Sequence, residues 1–360
     1  MRDNYIAIAK ALGIILMVMG HSGCPDFLYR FIYMFHMPLF FFCSGFFMKP
    51  AEKFVDVRKF VFRRFKGLYW PYVKWSLLFL LFHNFFLSWK LYDPDYINYY
   101  SRSDFIDRFL HIVFTMTGHD QLADPFWFFK QLLLSSILVF VVEYALRCFR
   151  SKLKYLIVFI VLLSLTIISK FFGWGLPVIW NLSIIFLSAC FFFLGYIYKK
   201  FELKTIPPYL GLLALMILIL GVYLYGDYLD MLWYTWKNVT LYIVMALVGV
   251  FMALSFSQIL ERTPFNQILY YIGNHTLIIF VLHLLVFKFG NYIKIIIYNL
   301  PIDHLADYKV ITAYNDYFWL IYYVIGCSIP LFIERTLNSL SICLKCFYTR
   351  RGHGFTDNNS

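Results

Sequence analysis

Residues 4–21 read Asn4-Tyr-Ile-Ala-Ile-Ala-Lys10-Ala-Leu-Gly-Ile-Ile-Leu-Met-Val-Met-Gly-His21, an apolar stretch interrupted by one lysine and closed by one histidine. A helix of this length covers about 27 Å, which is enough to cross a bilayer core. At about 100° per residue, His21 lies about 20° past three full turns from Lys10, and Asp3 lies about 20° short of two turns before Lys10. One side of the helix therefore carries an acid, an amine and an imidazole. Ionisable groups at membrane depth are costly and usually functional.

The rest of the chain repeats this apolar character. Of its 360 residues, 61% are hydrophobic and only 14% are charged, whereas an ordinary soluble domain has about 25% charged residues. Because unpaired backbone in lipid is prohibitively costly, each long apolar run should be a helix. The sequence predicts an all-α integral membrane protein, a bundle of about ten transmembrane helices at 5–22, 27–48, 69–89, 126–146, 153–172, 177–198, 208–225, 239–260, 276–298 and 317–333.

The net charge of +12 is concentrated in alternate short connections between these segments. This pattern fits the excess of Lys and Arg in cytoplasmic loops, and it predicts N- and C-termini in the cytoplasm of a multi-pass plasma (inner) membrane protein. We therefore expect membrane lipids, and no nucleic acid, as partners. One transmembrane domain is predicted over 1–348, followed by a disordered cytoplasmic tail, 349–360. No metal is expected, because the Cys343 and Cys346 pair lacks a second pair of ligands.

Further polar groups interrupt the apolar segments. In the second segment, Pro38 predicts a kink near His36, and Ser44 with Gly45 predicts close helix packing. A histidine near a kink suits a cavity, although His36 could equally be satisfied by a neighbouring helix. In the ninth segment, the spacing of Thr276, Phe280 and His283 places them on one face of a helix, and His283 is a third intramembrane histidine.

The most basic stretch contains Arg63, Arg64 and Lys66 and leads into the third segment. Its cations either mark the cytoplasmic side and contact lipid headgroups, or bind a polyanion such as the phosphates of coenzyme A. Two long outer loops, 90–125 and 299–316, mix acids with aromatic residues. They either form a solvated cap or bind a sugar, since binding residues are often found on loops.

These motifs, taken in order, resemble acyltransferase family 3, the integral membrane O-acetyltransferases that include fucose acetylase-like and surface polysaccharide acetylases. The matching features are Lys10-x10-His21, 35–45, Leu68-x-x-Pro71-Tyr72, Trp127-Phe-Phe and Gly273-x-x-Thr276-Leu-x-x-Phe280-x-x-His283. The resemblance implies ten helices, cytosolic acetyl-CoA as acyl donor and a glycan or lipid-linked sugar as acceptor. It also implies a catalytic role for His21 and donor binding by Arg64 and Lys66. Gly67 stands where the family commonly has a basic residue, and Thr276 and Phe280 replace the commoner Ser and Tyr.

We therefore expect an O-acetyltransferase in which His21 takes the proton of the attacking hydroxyl group. Lys10 would bind the donor or offset the developing oxyanion, His36 would orient His21 or donate to the oxyanion, and Asp3 would pair with Lys10 or an inner arginine. The candidate residues are, as catalytic groups, His21, Lys10 and His36; for the donor, Arg63, Arg64, Lys66 and Lys10; and in support, Asp3, Ser44, Trp127, Thr276 and His283. Two alternatives remain: transfer of succinyl or another acyl group, and a glycan or lipid transporter. The sequence leaves the oligomeric state open.

Overall fold

The computed structural model describes residues 4–172, 177–203, 206–233, 238–314 and 317–353, with the backbone alone for 177–181 and 341–353. These residues form helices, turns and loops, without a β-strand. The helices are α1 Asn4–His21, α2 Asp26–Tyr33, α3 His36–Phe46, α4 Phe54–Arg64, α5 Trp70–Leu81, α6 His83–Ser88, α7 Arg102–Leu110, α8 Trp127–Ala145, α9 Leu153–Phe172, α10 Pro177–Lys200, α11 Pro208–Tyr225, α12 Val239–Leu260, α13 Asn266–Asn274, α14 Thr276–Tyr298 and α15 Trp319–His353. Shorter π-helical turns cover Phe65–Tyr69 and His111–Thr115, and 3₁₀ turns cover Gln121–Phe126 and Ile302–Ala306.

Nine helical stretches within the described ranges are long and apolar enough to cross a bilayer. They correspond to nine of the ten predicted segments, and the predicted all-α membrane bundle is confirmed. The cytoplasmic position of both termini stays a prediction. At the C-terminus, α15 continues to His353, inside the predicted tail, and 354–360 lie outside the described residues.

The third predicted segment, 69–89, is interrupted. Phe82 leaves helical geometry (φ −92°, ψ 6°), which separates α5 from α6. At the start of α6, the buried ring of His83 bonds the Asp120 carboxylate at 2.9 Å and the Asn98 carbonyl at 3.0 Å. The break thus accompanies two polar contacts that hold the outer loop against the bundle, and hydropathy alone does not reveal them.

The second segment bends near His36, as the sequence predicts. The helix stops after Tyr33, and Phe35 (φ −144°, ψ −15°) separates α2 from α3. Pro38 therefore lies in the first turn of α3, and the kink predicted from this proline is present in the turn before it, to which its missing N–H group cannot donate. The break is one turn earlier, and His36 is the first residue of the new helix.

Helices α3 and α10 pack closely against each other. A Cβ atom added at Gly45 would collide with the carbonyl oxygen of Phe192, and one at Gly195 would collide with that of Phe42. The two glycines let the backbones approach more closely than any other residue would allow. The close approach predicted at Gly45 is confirmed.

The second long outer loop is held down by side chains of α14. The ammonium of Lys288 donates to the carbonyls of Leu305 (3.2 Å), Ala306 (3.3 Å) and Asp307 (2.7 Å). One turn further along, the side-chain Oδ1 of Asn291 accepts a hydrogen bond from the Ile311 amide at 3.2 Å. The loop therefore folds onto the bundle as a fixed element, with residues 308–310 close to the end of α1 and to the middle of α14.

Candidate active site

An inner cavity of about 540 Å³ opens between α1, α3, α4, α8 and α14. Its walls combine four cations with hydroxyl groups and a majority of apolar and aromatic side chains. The lining residues are Lys10, Ile14, Met17, Met37, Phe40, Cys43, Ser44, Phe47, Lys49, Phe60, Arg63, Arg64, Gly67, Leu68, Phe128, Phe129, Leu132, Thr276, Leu277 and Phe280. A cavity of this size and composition is typical of a small-molecule site.

Arg64 is the best-buried cation at the entrance side of this cavity. Its Nη1 donates to the Ser44 hydroxyl at 3.1 Å, and the guanidinium lies 5.0 Å from the Phe60 ring and 5.3 Å from the Phe192 ring. Burial, together with the charge of Arg63, lowers the pKa of Arg64 to about 10, so the group stays charged at neutral pH. The Arg64 Nε is buried and has no hydrogen-bond partner. An anion in the cavity would supply the partner that this charge lacks.

The stripe predicted on α1 forms one wall of the cavity. Lys10, Ile14 and Met17 line it at intervals of four and three residues, and His21 continues the same stripe one turn further. His21 itself does not line the cavity. Met17 is buried, so an apolar layer lies between the cavity and the imidazole. Asp3, the third predicted member of the stripe, lies outside the described residues.

Three histidines lie close together next to the end of the cavity at Met17. The His21 and His283 rings lie 5.4 Å apart between centroids, Tyr33 lies 6.2 Å from His21, and His36 lies 4.8 Å from Tyr33. We call His21, His36, His283 and Tyr33 the histidine cluster. His36 and His283 are buried, and His21 is half-buried.

Each helix that joins the two sites carries a cavity-lining residue within one turn of a histidine of the cluster. On α14, Phe280 lines the cavity and His283 lies one turn beyond it; on α3, Met37 lines the cavity and His36 precedes it. The inner cavity and the histidine cluster are therefore neighbours along three helices, separated by buried apolar side chains.

His36 has little freedom in this arrangement. Its Nδ1 lies 2.9 Å from the Ile32 carbonyl oxygen. A carbonyl can only accept a hydrogen bond, so Nδ1 of the neutral ring carries the proton and Nε2 is left as an acceptor. A neutral His36 is therefore poorly suited to donating a hydrogen bond to an oxyanion.

Charged outer-loop residues complete the surroundings of the cluster. The side chain of Lys309 interacts electrostatically with both His21 and His283, and its ammonium lies 3.9 Å from the Asp124 carboxylate. Tyr308 donates to the same carboxylate at 2.7 Å. Burial lowers the pKa of Lys309, and Asp124 and Asp230 oppose this shift. Lys309 also adopts a left-handed backbone conformation (φ 62°), which is unusual for a lysine.

The predicted site residues thus fall into two groups. Lys10, Ser44, Arg63, Arg64 and Thr276 line the inner cavity, whereas His21, His36 and His283 belong to the histidine cluster.

Two other predicted residues lie apart from both groups. Lys66 is exposed and does not line the cavity, while Trp127 is half-buried and packs on Phe128, 6.4 Å away. Lys49 occupies a lining position instead. No motif in the sequence indicates a role for Lys309. Its one signal is that it lies in the loop 299–316, for which sugar binding was one of two predictions.

The fold and the site together define a multi-pass membrane protein with a cation-lined cavity on one side and buried imidazoles beyond it, an arrangement suited to group transfer. The sequence model of the family described as an acyltransferase domain, Acyl_transf_3, matches residues 3–335. The chain therefore belongs to acyltransferase family 3 and is a membrane acyltransferase. No curated protein and no solved structure matches it significantly.

Proposed function

We propose that this membrane acyltransferase transfers an acetyl group from cytosolic acetyl-CoA to a hydroxyl group of a cell-envelope glycan or lipid-linked sugar, in the plasma membrane. One observation carries the proposal. The inner cavity contains the cations and follows α1 past Lys10 to Met17, one turn short of His21. A long, thin acyl donor bound in this cavity would point its thioester towards the histidine cluster.

The cavity walls suit the two parts of such a donor. Phosphate groups would bind Arg63, Arg64 and Lys49, where the buried Nε of Arg64 lacks a hydrogen-bond partner. The flexible arm would then run between aromatic and aliphatic side chains, with Lys10 within the cavity wall to bond its amides or offset charge. Lys66, being exposed and outside the lining, is left with the weaker role of attracting anions to the entrance.

The chemistry requires a base, because a hydroxyl group is a poor nucleophile at neutral pH. His21 takes the hydroxyl proton as the oxygen attacks the thioester carbonyl carbon, which forms a tetrahedral oxyanion. When the intermediate collapses, the carbon–sulfur bond breaks and the proton on His21 passes to the leaving thiolate. The products are the ester and the free thiol, and His21 returns to its neutral state.

A second candidate is transfer of an acyl group that carries its own carboxylate, such as succinyl. One observation favours it: a larger acid donor needs a cation near His21, and Lys309 lies beside the histidine cluster. The carboxylate of the acyl group would pair with Lys309, which has only a loose contact with Asp124 at 3.9 Å.

The experiment uses membranes that carry the full chain, labelled acetyl-CoA or succinyl-CoA, and a glycan acceptor. We expect transfer by the wild-type protein, and loss of about 10²-fold or more with His21→Ala at equal protein levels. Lys10→Ala should also lower transfer. Near-wild-type transfer by His21→Ala would show that His21 is not the general base. A protein that neither binds nor hydrolyses either donor would refute both acetyl-CoA and succinyl-CoA as its substrates.

A further inference from the structure

Two buried ring nitrogens in the histidine cluster face no hydrogen-bond partner. They are Nδ1 of His21 and Nε2 of His283. The rings that carry them are neighbours, with centroids 5.4 Å apart and planes inclined by 39°. A buried nitrogen without a partner is costly, and two such atoms on adjacent rings suggest that they serve each other.

The protonation of His283 is fixed by its own helix. Its Nδ1 lies 3.1 Å from the carbonyl oxygen of Ile279 and 2.9 Å from that of Phe280. Because carbonyl oxygens accept and never donate, Nδ1 of the neutral ring must carry the hydrogen. The Nε2 of His283 is then an acceptor with its lone pair turned away from the backbone.

The separation of the rings matches a direct contact between their edges. An N–H···N bond of about 2.9 Å between two imidazole edges places the centroids roughly 5 Å apart. The observed 5.4 Å is within a small side-chain rotation of that value. Nδ1 of His21 has no backbone acceptor of its own, and the Nε2 of His283 on the adjacent ring can accept its hydrogen and so select its tautomer.

We propose that His283 is a positioning residue for His21. Its Nε2 accepts a hydrogen bond from Nδ1–H of His21, and this leaves the lone pair on Nε2 of His21 to take the proton of the acceptor hydroxyl group. The inference rests on the proposed function, since it assigns the partner of the proposed base. Orienting His21 was one of two roles expected for His36, whose Nδ1 is instead bonded to the Ile32 carbonyl and whose ring packs on Tyr33, 4.8 Å away.

As in a catalytic triad, a second side chain orients the imidazole that acts as the base. Here that side chain is a neutral histidine in place of a carboxylate. An orienting group holds the imidazole in the productive tautomer and rotamer. When His21 becomes an imidazolium, its bond to His283 becomes charge-assisted and therefore stronger. The charges that face the two rings are Lys309 from the outer loop, which acts on both, and Asp124, which acts on His283; His36 faces His21.

The test compares two substitutions at one position in the full-length protein in membranes or detergent. His283→Leu removes the acceptor, whereas His283→Gln retains an amide oxygen that can reach towards His21. We expect His283→Leu to lower kcat by roughly 10²-fold without changing the KM for the acyl donor, and His283→Gln to recover a large part of that loss. His275→Gln, which removes a histidine at the start of α14 outside the cluster, is the matched control and should leave kcat unchanged.

The outcomes separate this inference from the proposed function. If His21→Ala abolishes transfer while His283→Leu keeps the wild-type kcat, the positioning role is refuted and the base remains. If His21→Ala retains transfer, the proposed function itself fails. Equal losses in the Leu and Gln variants, with unchanged melting temperature and donor KM, would also overturn the acceptor role. Should His283→Leu fail to fold, His283→Asn replaces it, because its shorter amide cannot reach His21.

Discussion

The guanidinium of Arg64 donates a hydrogen bond to the hydroxyl of Ser44, which joins the last turn of α4 to that of α3 at the wall of the inner cavity. This single bond leaves most of the guanidinium free to meet an anion, and the buried Nε of Arg64 lacks a partner. Charged hydrogen bonds contribute about 1.5–3 kcal/mol each. Arg64→Gln should therefore raise the KM for the acyl donor by about 10-fold or more, measured in a transfer assay at saturating acceptor.

The control for this prediction is a cation two residues away. Lys66 is exposed and does not line the cavity, so Lys66→Gln should change the donor KM far less than Arg64→Gln. Ser44→Ala should have an intermediate effect, because it removes the group that orients Arg64 and leaves the charge in place. Equal effects of Arg64→Gln and Lys66→Gln would show that the cations act through their general charge and not through a built site.

The sequence predicted which helices carry the site residues better than it predicted which residues contact one another. Apolar length and the 3.6-residue period were enough to place Lys10 and His21 on one stripe of α1, and a small residue such as Gly45 pointed to close packing. The first prediction depends only on residues that are close in the sequence, and the second depends only on the missing side chain of glycine. The break at Phe82 was not predicted, because a helix break without a nearby proline or glycine depends on tertiary contacts.

The position of Lys309 shows more clearly that the sequence does not predict contacts between distant segments of the chain. Its proximity to His21 depends on an outer loop that Lys288 and Asn291 hold to α14 through backbone groups of that loop. No periodicity links residues so far apart in the chain. Similarly, hydropathy cannot show that the cavity ends at Met17, because that boundary depends on how side chains from three helices fill the space.

Gly45 gives a test of the packing that supports the site. Any side chain at this position meets the carbonyl oxygen of Phe192, so α3 and α10 must separate in Gly45→Ala. Overpacking of this kind costs about 1–3 kcal/mol. Gly67→Ala is the matched control, because nothing lies within 4 Å of the added atom. We expect a lower melting temperature in detergent for Gly45→Ala and no decrease for Gly67→Ala; similar melting temperatures would contradict the close helix crossing.

Two lysines that hold the same outer loop should differ in importance. Lys288 is buried and donates to three carbonyls, whereas Lys90 is half-exposed and pairs with the exposed Asp303. Removing Lys288 leaves buried carbonyls unpaired at a cost of about 1–3 kcal/mol, while an exposed pair contributes about 0–1 kcal/mol. Lys288→Met should make the loop 299–316 sensitive to limited proteolysis, and Lys90→Met should not. Equal protease resistance in both variants would contradict this anchoring.

Met17 tests the boundary between the inner cavity and the histidine cluster. A phenyl ring is bulkier than the Met17 side chain and should thicken the apolar layer that separates the inner cavity from His21, without touching the cations proposed to bind the donor. Small displacements of reacting groups can lower rates by about 10²-fold. Met17→Phe should therefore reduce kcat strongly with little change in donor KM. Met19→Phe places the same ring on another face of α1, outside the cavity lining, and should be nearly neutral. A kcat close to wild type for Met17→Phe would mean that the acyl group takes another route.

Lys309 provides a test of the acyl group itself. Asn tolerates the left-handed backbone conformation of this residue, so Lys309→Asn removes the charge with little strain. If the acyl group carries a carboxylate, the substitution should lower the rate with succinyl-CoA by about 10-fold or more and affect acetyl-CoA less, because a charged hydrogen bond is lost only with the first donor.

The pH dependence of the wild-type protein gives an independent test of the same contact. Burial lowers the pKa of Lys309, so this ammonium loses its proton at a lower pH than an exposed lysine does. Only the protonated form attracts a carboxylate. The ratio of succinyl to acetyl transfer should therefore fall as the pH rises, and Lys309→Arg, which stays charged, should keep the ratio constant over the same range. A ratio that is independent of pH in the wild type, and unchanged in Lys309→Asn, would leave acetyl as the group that fits this site.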